Sequence, residues 1–129
     1  MQLSRRIRVL VADDHPSIRE NLRYLVNAEP DLTCVGVAKD GSQCILLCSD
    51  LQPDVVVLDH AMPVIDGLTV ARTIDRIHPH IRVIVYTLDA DVCSVAQSLG
   101  AVACISKDAP YDTLLRAIRH SLAVGVPIG

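Results

Sequence analysis

The sequence predicts an α/β domain: five parallel strands in one sheet, with helices on both faces. Three observations carry this. Five short apolar runs rich in β-branched residues recur along the chain, each too short for a helix. Each is followed by a stretch whose apolar residues keep a helical period. The connections between them are short and hold Pro, Gly, Asp or Asn.

Taken in order, Ile7–Ala12 reads as the first strand and runs into Asp13-Asp14-His15. Pro16 suits the first turn of a helix, and Ile18, Leu22, Leu25 and Val26 follow at helical spacing. Glu29-Pro30-Asp31 breaks that helix. Leu32–Val37 reads as a second strand, shorter and less apolar, and so nearer the edge. Lys39-Asp40-Gly41-Ser42 is a turn with a helix start, and Cys44, Ile45, Cys48 and Leu51 form the next apolar face.

Val55–Leu58 is the third strand, apolar throughout and limited by Pro53 and Pro63. It runs straight into Asp59. Gly67 opens a third helix carrying Leu68, Ala71, Ile74 and Ile77, which His78-Pro79 stops. Ile81–Tyr86 is the fourth strand and ends in Thr87-Leu88-Asp89. Val92, Val95, Ala96 and Leu99 keep a helical period up to the stop signal Gly100. Ala101–Ile105 is the fifth strand and ends in Ser106-Lys107. Pro110 starts the last helix, whose one face holds Tyr111, Leu114, Leu115, Ile118 and Leu122, and Gly125-Val126-Pro127 ends it.

Alternating strands and helices with right-handed crossovers give a doubly wound sheet. A flavodoxin-like (βα)5 order, 2-1-3-4-5, sets the ends of strands one and three side by side. With 129 residues the chain is one domain. It is 50% hydrophobic but only 2% aromatic, so the core must be aliphatic. A net charge of -3, with no run of one sign, gives no nucleic-acid footprint. No apolar run approaches the roughly 18 residues of a membrane span. Cys34, Cys44, Cys48, Cys93 and Cys104 are an odd, scattered set, read as reduced thiols, which points to a reducing, cytoplasmic setting.

The predicted order brings Asp13, Asp14 and Asp59 to one lip of the sheet. A lone strand-end Asp usually caps a loop. Three carboxylates in one cleft repel each other, and a hard cation such as Mg²⁺, which takes oxygen ligands and bridges to phosphate, relieves that. Strand four brings the hydroxyl of Thr87 to the same lip, and strand five the ammonium of Lys107. Together these groups form a receptor for a phosphoryl group on Asp59.

These residues resemble a known family. Val11-Ala12-Asp13-Asp14-His15-Pro16, Asp59 with Met62-Pro63 and Asp66-Gly67, Thr87, and Gly100-Ala101 followed by Ser106-Lys107-Asp108 look like the receiver domain of a bacterial two-component response regulator. The start and the Thr87 and Lys107 segments look most like its NarL-type (LuxR-like) branch. The resemblance covers residues 7 to about 122. It implies a receiver over residues 1–124, with 125–129 starting a linker or tail. It implies that Asp59 is the phosphoacceptor for a sensor histidine kinase. Asp14, Asp59 and the Ala61 backbone carbonyl would ligate Mg²⁺, Asp13 would act largely through water, and Thr87 and Lys107 would bind phosphoryl oxygens. It implies a cytoplasmic switch, not an enzyme, that controls a DNA-binding output domain in transcription regulation. It also implies homodimerisation on phosphorylation, for which Tyr111, Arg116, Arg119 and His120 are the candidates on the last helix.

One position departs from the pattern. The family's fifth strand carries Tyr or Phe three residues before the lysine, and this chain has Cys104. Tyr86 is expected to point away from the Thr87 side. Other readings fit less well. A flavodoxin needs a Ser/Thr/Gly-rich phosphate loop where Asp13-Asp14-His15-Pro16 stands. A haloacid-dehalogenase-type phosphatase needs a second Asp at Ala61. A stand-alone or degenerate receiver would act through protein contacts alone.

Overall fold

A computed structural model describes residues 5–125. The strands are β1 (Ile7–Ala12), β2 (Leu32–Ala38), β3 (Val55–Leu58), β4 (Arg82–Thr87) and β5 (Ala103–Ser106). The helices are α1 (Pro16–Asn27), α2 (Gly41–Leu51), α3 (Gly67–Ile77), α4 (Ala90–Ala96) and α5 (Tyr111–Gly125), and a 3-10 turn covers Gln97–Leu99. The five strands form one parallel sheet in the order β2-β1-β3-β4-β5. The expected doubly wound, flavodoxin-like topology is therefore present.

Alternation along each central strand divides the core. Val9, Val11, Val55, Val57 and Ile84 face α1 and α5, where they meet Leu22, Val26, Leu114 and Ile118. Leu10, Ala12, Val56, Leu58 and Val83 face α2 and α3, where they meet Cys44, Cys48, Val70 and Ile74. Both faces are covered, which is why these strands read as uninterrupted apolar runs. Burial of each Val, Leu or Ile among them contributes about 1.5–3 kcal/mol.

Three details correct the sequence reading. The edge strand β2 is the longest of the five, not short. Its pairing with β1 shifts register, so that Val9 faces Cys34 and Leu10 faces Gly36. The helix after β4 is α-helical only to Ala96, and β5 begins at Ala103 rather than Ala101. Gly100 ends the 3-10 turn at φ 110°, a left-handed value that favours glycine. Gly125, expected to open the linker, lies within α5. Residues 126–129 of that expected tail lie outside the described residues.

The cysteine reading also needs correction. Cys34, Cys44 and Cys48 are free, but Cys93 and Cys104 form a disulfide. Eleven residues separate them in sequence, yet the packing of α4 on β5 sets their Cα atoms 5.4 Å apart, within bridging range. No helix among the described residues is long and apolar enough to cross a membrane.

Candidate functional site

Asp13, Asp59 and Lys107 are each the first residue past a strand, held by one more rung of the sheet ladder, and Thr87 is the last residue of β4. The Asp13 N–H donates to the Ala38 carbonyl at 3.1 Å. The Asp59 N–H donates to the Ala12 carbonyl at 2.9 Å, and the Lys107 N–H to the Thr87 carbonyl at 2.9 Å. These bonds fix the backbone from which the side chains converge.

The carboxylates meet as the sequence predicted. Lys107 Nζ donates to Asp13 Oδ2 at 2.8 Å and stands 3.3 Å from Asp59 Oδ1. Asp13 is only 1% and Asp59 4% exposed, so solvent screens these charges little. Asp13, Asp14, His15 and Asp59 each offer a ligand atom, all within 4.8 Å of one another. His15 had no assigned role from sequence, although its place after two aspartates was a signal. Its Nδ1 lies 3.0 Å from Asp13 Oδ1 and 3.1 Å from Asp14 Oδ1. Asp14 Oδ1 is buried and accepts no hydrogen bond. A buried carboxylate oxygen that the His15 ring approaches without hydrogen-bonding, among two further carboxylates, is a donor set that fits a hard cation.

The charges shift one another. Burial, and then the charge of Asp13, push the Asp59 carboxyl above the usual carboxylate range; Lys107 and the Ala61 N–H only partly offset this. Burial works against the Lys107 charge, but the hydrogen bond to Asp13 and the charge of Asp59 outweigh it, so its value rises. The His15 imidazole is raised by its hydrogen bond to Asp13 and then by the Asp14 charge. A carboxylate held up by desolvation beside a lysine held charged marks this cleft as a candidate functional site.

Thr87 ends β4 and is 4% exposed. Its Oγ1 accepts the Asp89 N–H at 3.1 Å. Ala61 is exposed in the loop between β3 and α3, two residues past Asp59. Tyr86 packs with the α1 and α5 side of the core, as expected, its ring centroid 5.9 Å from Lys107 Nζ. Cys104 packs on the opposite face, against the α4 cluster. Tyr86 therefore does not occupy the place the missing aromatic would take.

The last helix departs from the expected pairing face. Arg119 is not a free surface cation: it donates to Asp31 at 2.7 and 2.8 Å and to Glu29 at 2.7 Å. The Tyr111 hydroxyl is buried. Only Arg116 and His120 of the four candidates are exposed.

A doubly wound sheet with an acidic cleft and a lysine at its carboxyl edge defines the receiver class of signalling domain. The chain belongs to the response regulator receiver domain family, whose model matches residues 9–119. It is 36% identical over 116 residues to the uncharacterized transcriptional regulatory protein YxjL of Bacillus subtilis (strain 168), covering 88% of this chain and 53% of that protein. It is 34% identical over 122 residues to the nitrate/nitrite response regulator protein NarL of Escherichia coli (strain K12), covering 91% and 55%. A protein-glutamate methylesterase/protein-glutamine glutaminase of Vibrio vulnificus (strain YJ016) is 35% identical over 114 residues, covering 86% and 33%. The chain thus spans about half the length, or less, of these relatives. Among solved structures, the response regulator domain of Thermotoga maritima CheB matches with TM-score 0.88 at 32% identity, covering 95% of this chain and all of that one. The receiver domain of the NarL regulator from Mycobacterium tuberculosis matches with TM-score 0.84 at 28% identity, covering 94% and 97%. The likeness to NarL and YxjL makes this a NarL-type receiver.

Proposed function

We propose that this receiver takes a phosphoryl group on Asp59 from the phosphohistidine of a sensor histidine kinase. One observation carries the reading: the Lys107 ammonium spans Asp13 and Asp59 at the buried floor of the cleft. A carboxylate oxygen of Asp59 attacks phosphorus, the phosphorus–nitrogen bond of the phosphohistidine breaks, and the imidazole leaves. Lys107 then moves from pairing a carboxylate to pairing a phosphoryl oxygen. The Thr87 hydroxyl donates to another, which changes what the Asp89 N–H meets. Asp13, Asp14, Asp59 and the Ala61 carbonyl would hold Mg²⁺, which supplies the positive charge that draws phosphoryl oxygens to an acidic cleft.

The domain acts as a phosphorylation-dependent switch in the cytoplasm rather than as an enzyme in its own right. It passes its state by conformational change to an output domain that binds DNA and regulates transcription, a reading supported by the likeness to YxjL, named a transcriptional regulatory protein, of which this chain covers 53%. Phosphorylated receivers of this kind pair through helix surfaces; Arg116 and His120 are the exposed candidates here. The methylesterase relative carries the same kind of receiver on a different output. A helix-turn-helix in the reading frame beyond residue 129 supports the DNA-binding reading, and an esterase domain there overturns it.

Acetyl phosphate with Mg²⁺, read by intact mass, tests the site. Wild type gains one phosphoryl mass; Asp59→Asn, or wild type with EDTA, gains none. Equal labelling of Asp59→Asn overturns the assignment.

A further inference from the structure

The smallest part of the core lies under α4. Four buried residues, Val85, Val92, Ala96 and Ala101, hold it, where the other two clusters have thirteen and twelve. This thinly packed, seven-residue helix is also where the only disulfide among the described residues sits, joining Cys93 of α4 to Cys104 of β5. Of the other three cysteines, Cys44 and Cys48 are 0% exposed, and Cys34 is partly exposed but has no cysteine to pair with; burial raises its thiol, which donates to the Gly36 carbonyl at 3.3 Å. Cys93 and Cys104 are both partly exposed. A thiolate that solvent can reach is the reactive form of cysteine.

We infer that Cys93 and Cys104 are a reversible dithiol–disulfide site, oxidised by low-molecular-weight disulfides of the glutathione class, that ties α4 to β5. One cysteine thiolate attacks a sulfur of the small disulfide, forming a mixed disulfide and expelling one small thiolate. The second cysteine thiolate attacks the protein sulfur of that bond and expels the other. The two protein thiols lose two protons and two electrons, and the small disulfide becomes two thiols. Excess small thiol runs the same steps backwards.

The bond joins the two elements next to the receptor groups. Thr87 Oγ1 accepts the Asp89 N–H, and the Asp89 carboxylate accepts the Asp91 N–H at 2.9 Å, two residues before Cys93. Cys104 lies three residues before Lys107. Oxidised, the helix start that follows Thr87 is anchored to the strand that leads to Lys107. Reduced, α4 depends on four buried side chains. That this anchors the readout of a phosphoryl group rests on the receiver reading above; the redox site itself does not.

The test therefore uses no phosphoryl group. The whole chain is equilibrated in glutathione buffers from fully reducing to fully oxidising, quenched in acid, unfolded and alkylated with N-ethylmaleimide. Intact mass should pass from five adducts to three at a midpoint set by the pair's own reduction potential, and Cys93→Ser plus Cys104→Ser should carry three throughout. Hydrogen exchange of the two wild-type forms should show α4 amides slower in the oxidised form, by on the order of tenfold. Five adducts in every buffer, or loss of thiols that the double variant shares, overturns the site. Equal α4 exchange in the two forms overturns the anchoring. Failure of Asp59 to take phosphate leaves both readouts intact.

Discussion

Gly67 lies flat against the carbonyl of Asp59. A Cβ at Gly67 would stand 2.5 Å from that oxygen and 2.5 Å from His60 Cα, and the Gly67 N–H donates to the His60 carbonyl at 2.9 Å. The first turn of α3 is thus pressed on the backbone that carries Asp59. Gly41, at the start of α2, meets the same loop at the Ile65 carbonyl. Neither neighbour is the tip of a flexible side chain that could move aside. Gly67→Ala should cost about 1–3 kcal/mol through overpacking and should slow phosphoryl uptake. Urea unfolding and acetyl phosphate labelling check this; an unchanged midpoint and rate reject it.

Asp59 should weaken the fold it serves. Its folded pKa is raised, first by burial and then by Asp13. A carboxyl with a raised folded value binds its proton more tightly when folded. The ionised group therefore destabilises the fold above that value, and the penalty fades as pH falls through it. Asp59→Asn should be more stable than wild type near pH 7, with the gap closing toward about pH 4 and below. Paired denaturation curves across this range test the sign. A variant less stable at neutral pH refutes it.

The Arg119 contacts predict the opposite slope. Asp31 is lowered by its hydrogen bond to Arg119, so its contribution is present above its unfolded value and is lost as pH falls through the folded one. Arg119 is 36% and Asp31 45% exposed, so solvent screening keeps the effect below about 1 kcal/mol. Asp31→Asn should lower the unfolding midpoint at neutral pH and leave it unchanged in strong acid. A loss of several kcal/mol at neutral pH would show that the pair is worth more than its exposure allows.

Acyl phosphate on Asp59 should be long-lived. Hydrolysis needs a water in line with phosphorus, held by a polar neighbour. Ala61 has no polar side-chain atom. The Asp89 carboxylate, which the receiver family's geometry implies beside the same approach, is engaged in capping α4 through the Asp91 N–H. Ala61→Asn should accelerate decay by on the order of ten- to a hundredfold, since one positioned donor is worth up to about 2.7 kcal/mol. Intact mass over time reads the decay. Equal half-lives, or a wild-type half-life of seconds, reject this.

The lip of the cleft was legible because its residues end strands buried on both faces. Val55–Leu58 has no polar residue to blur its end, so Asp59 stands out. β2 was read short because Thr33, Cys34 and Gly36 dilute its apolar pattern at an edge, where burial does not demand one. The α4 to β5 boundary blurred because Leu99–Ala101 is apolar across a 3-10 turn. Arg119 looked like a solvated face because Glu29 and Asp31 lie 90 and 88 residues away. The Cys93–Cys104 bond depends on how α4 seats against β5, which spacing along the chain does not encode.

The register shift opposite Val9 and Leu10 bears on how the molecule keeps to itself. An edge strand exposes unpaired amides and carbonyls, a template onto which another chain can add. β2, the long edge, has its pairing broken by the shift between Cys34 and Gly36, and such irregularities twist an edge out of line. β5, the other edge, offers only four residues. One margin of the sheet is bent and the other is brief. Among the described residues, strand-to-strand stacking finds no long straight rim at either side.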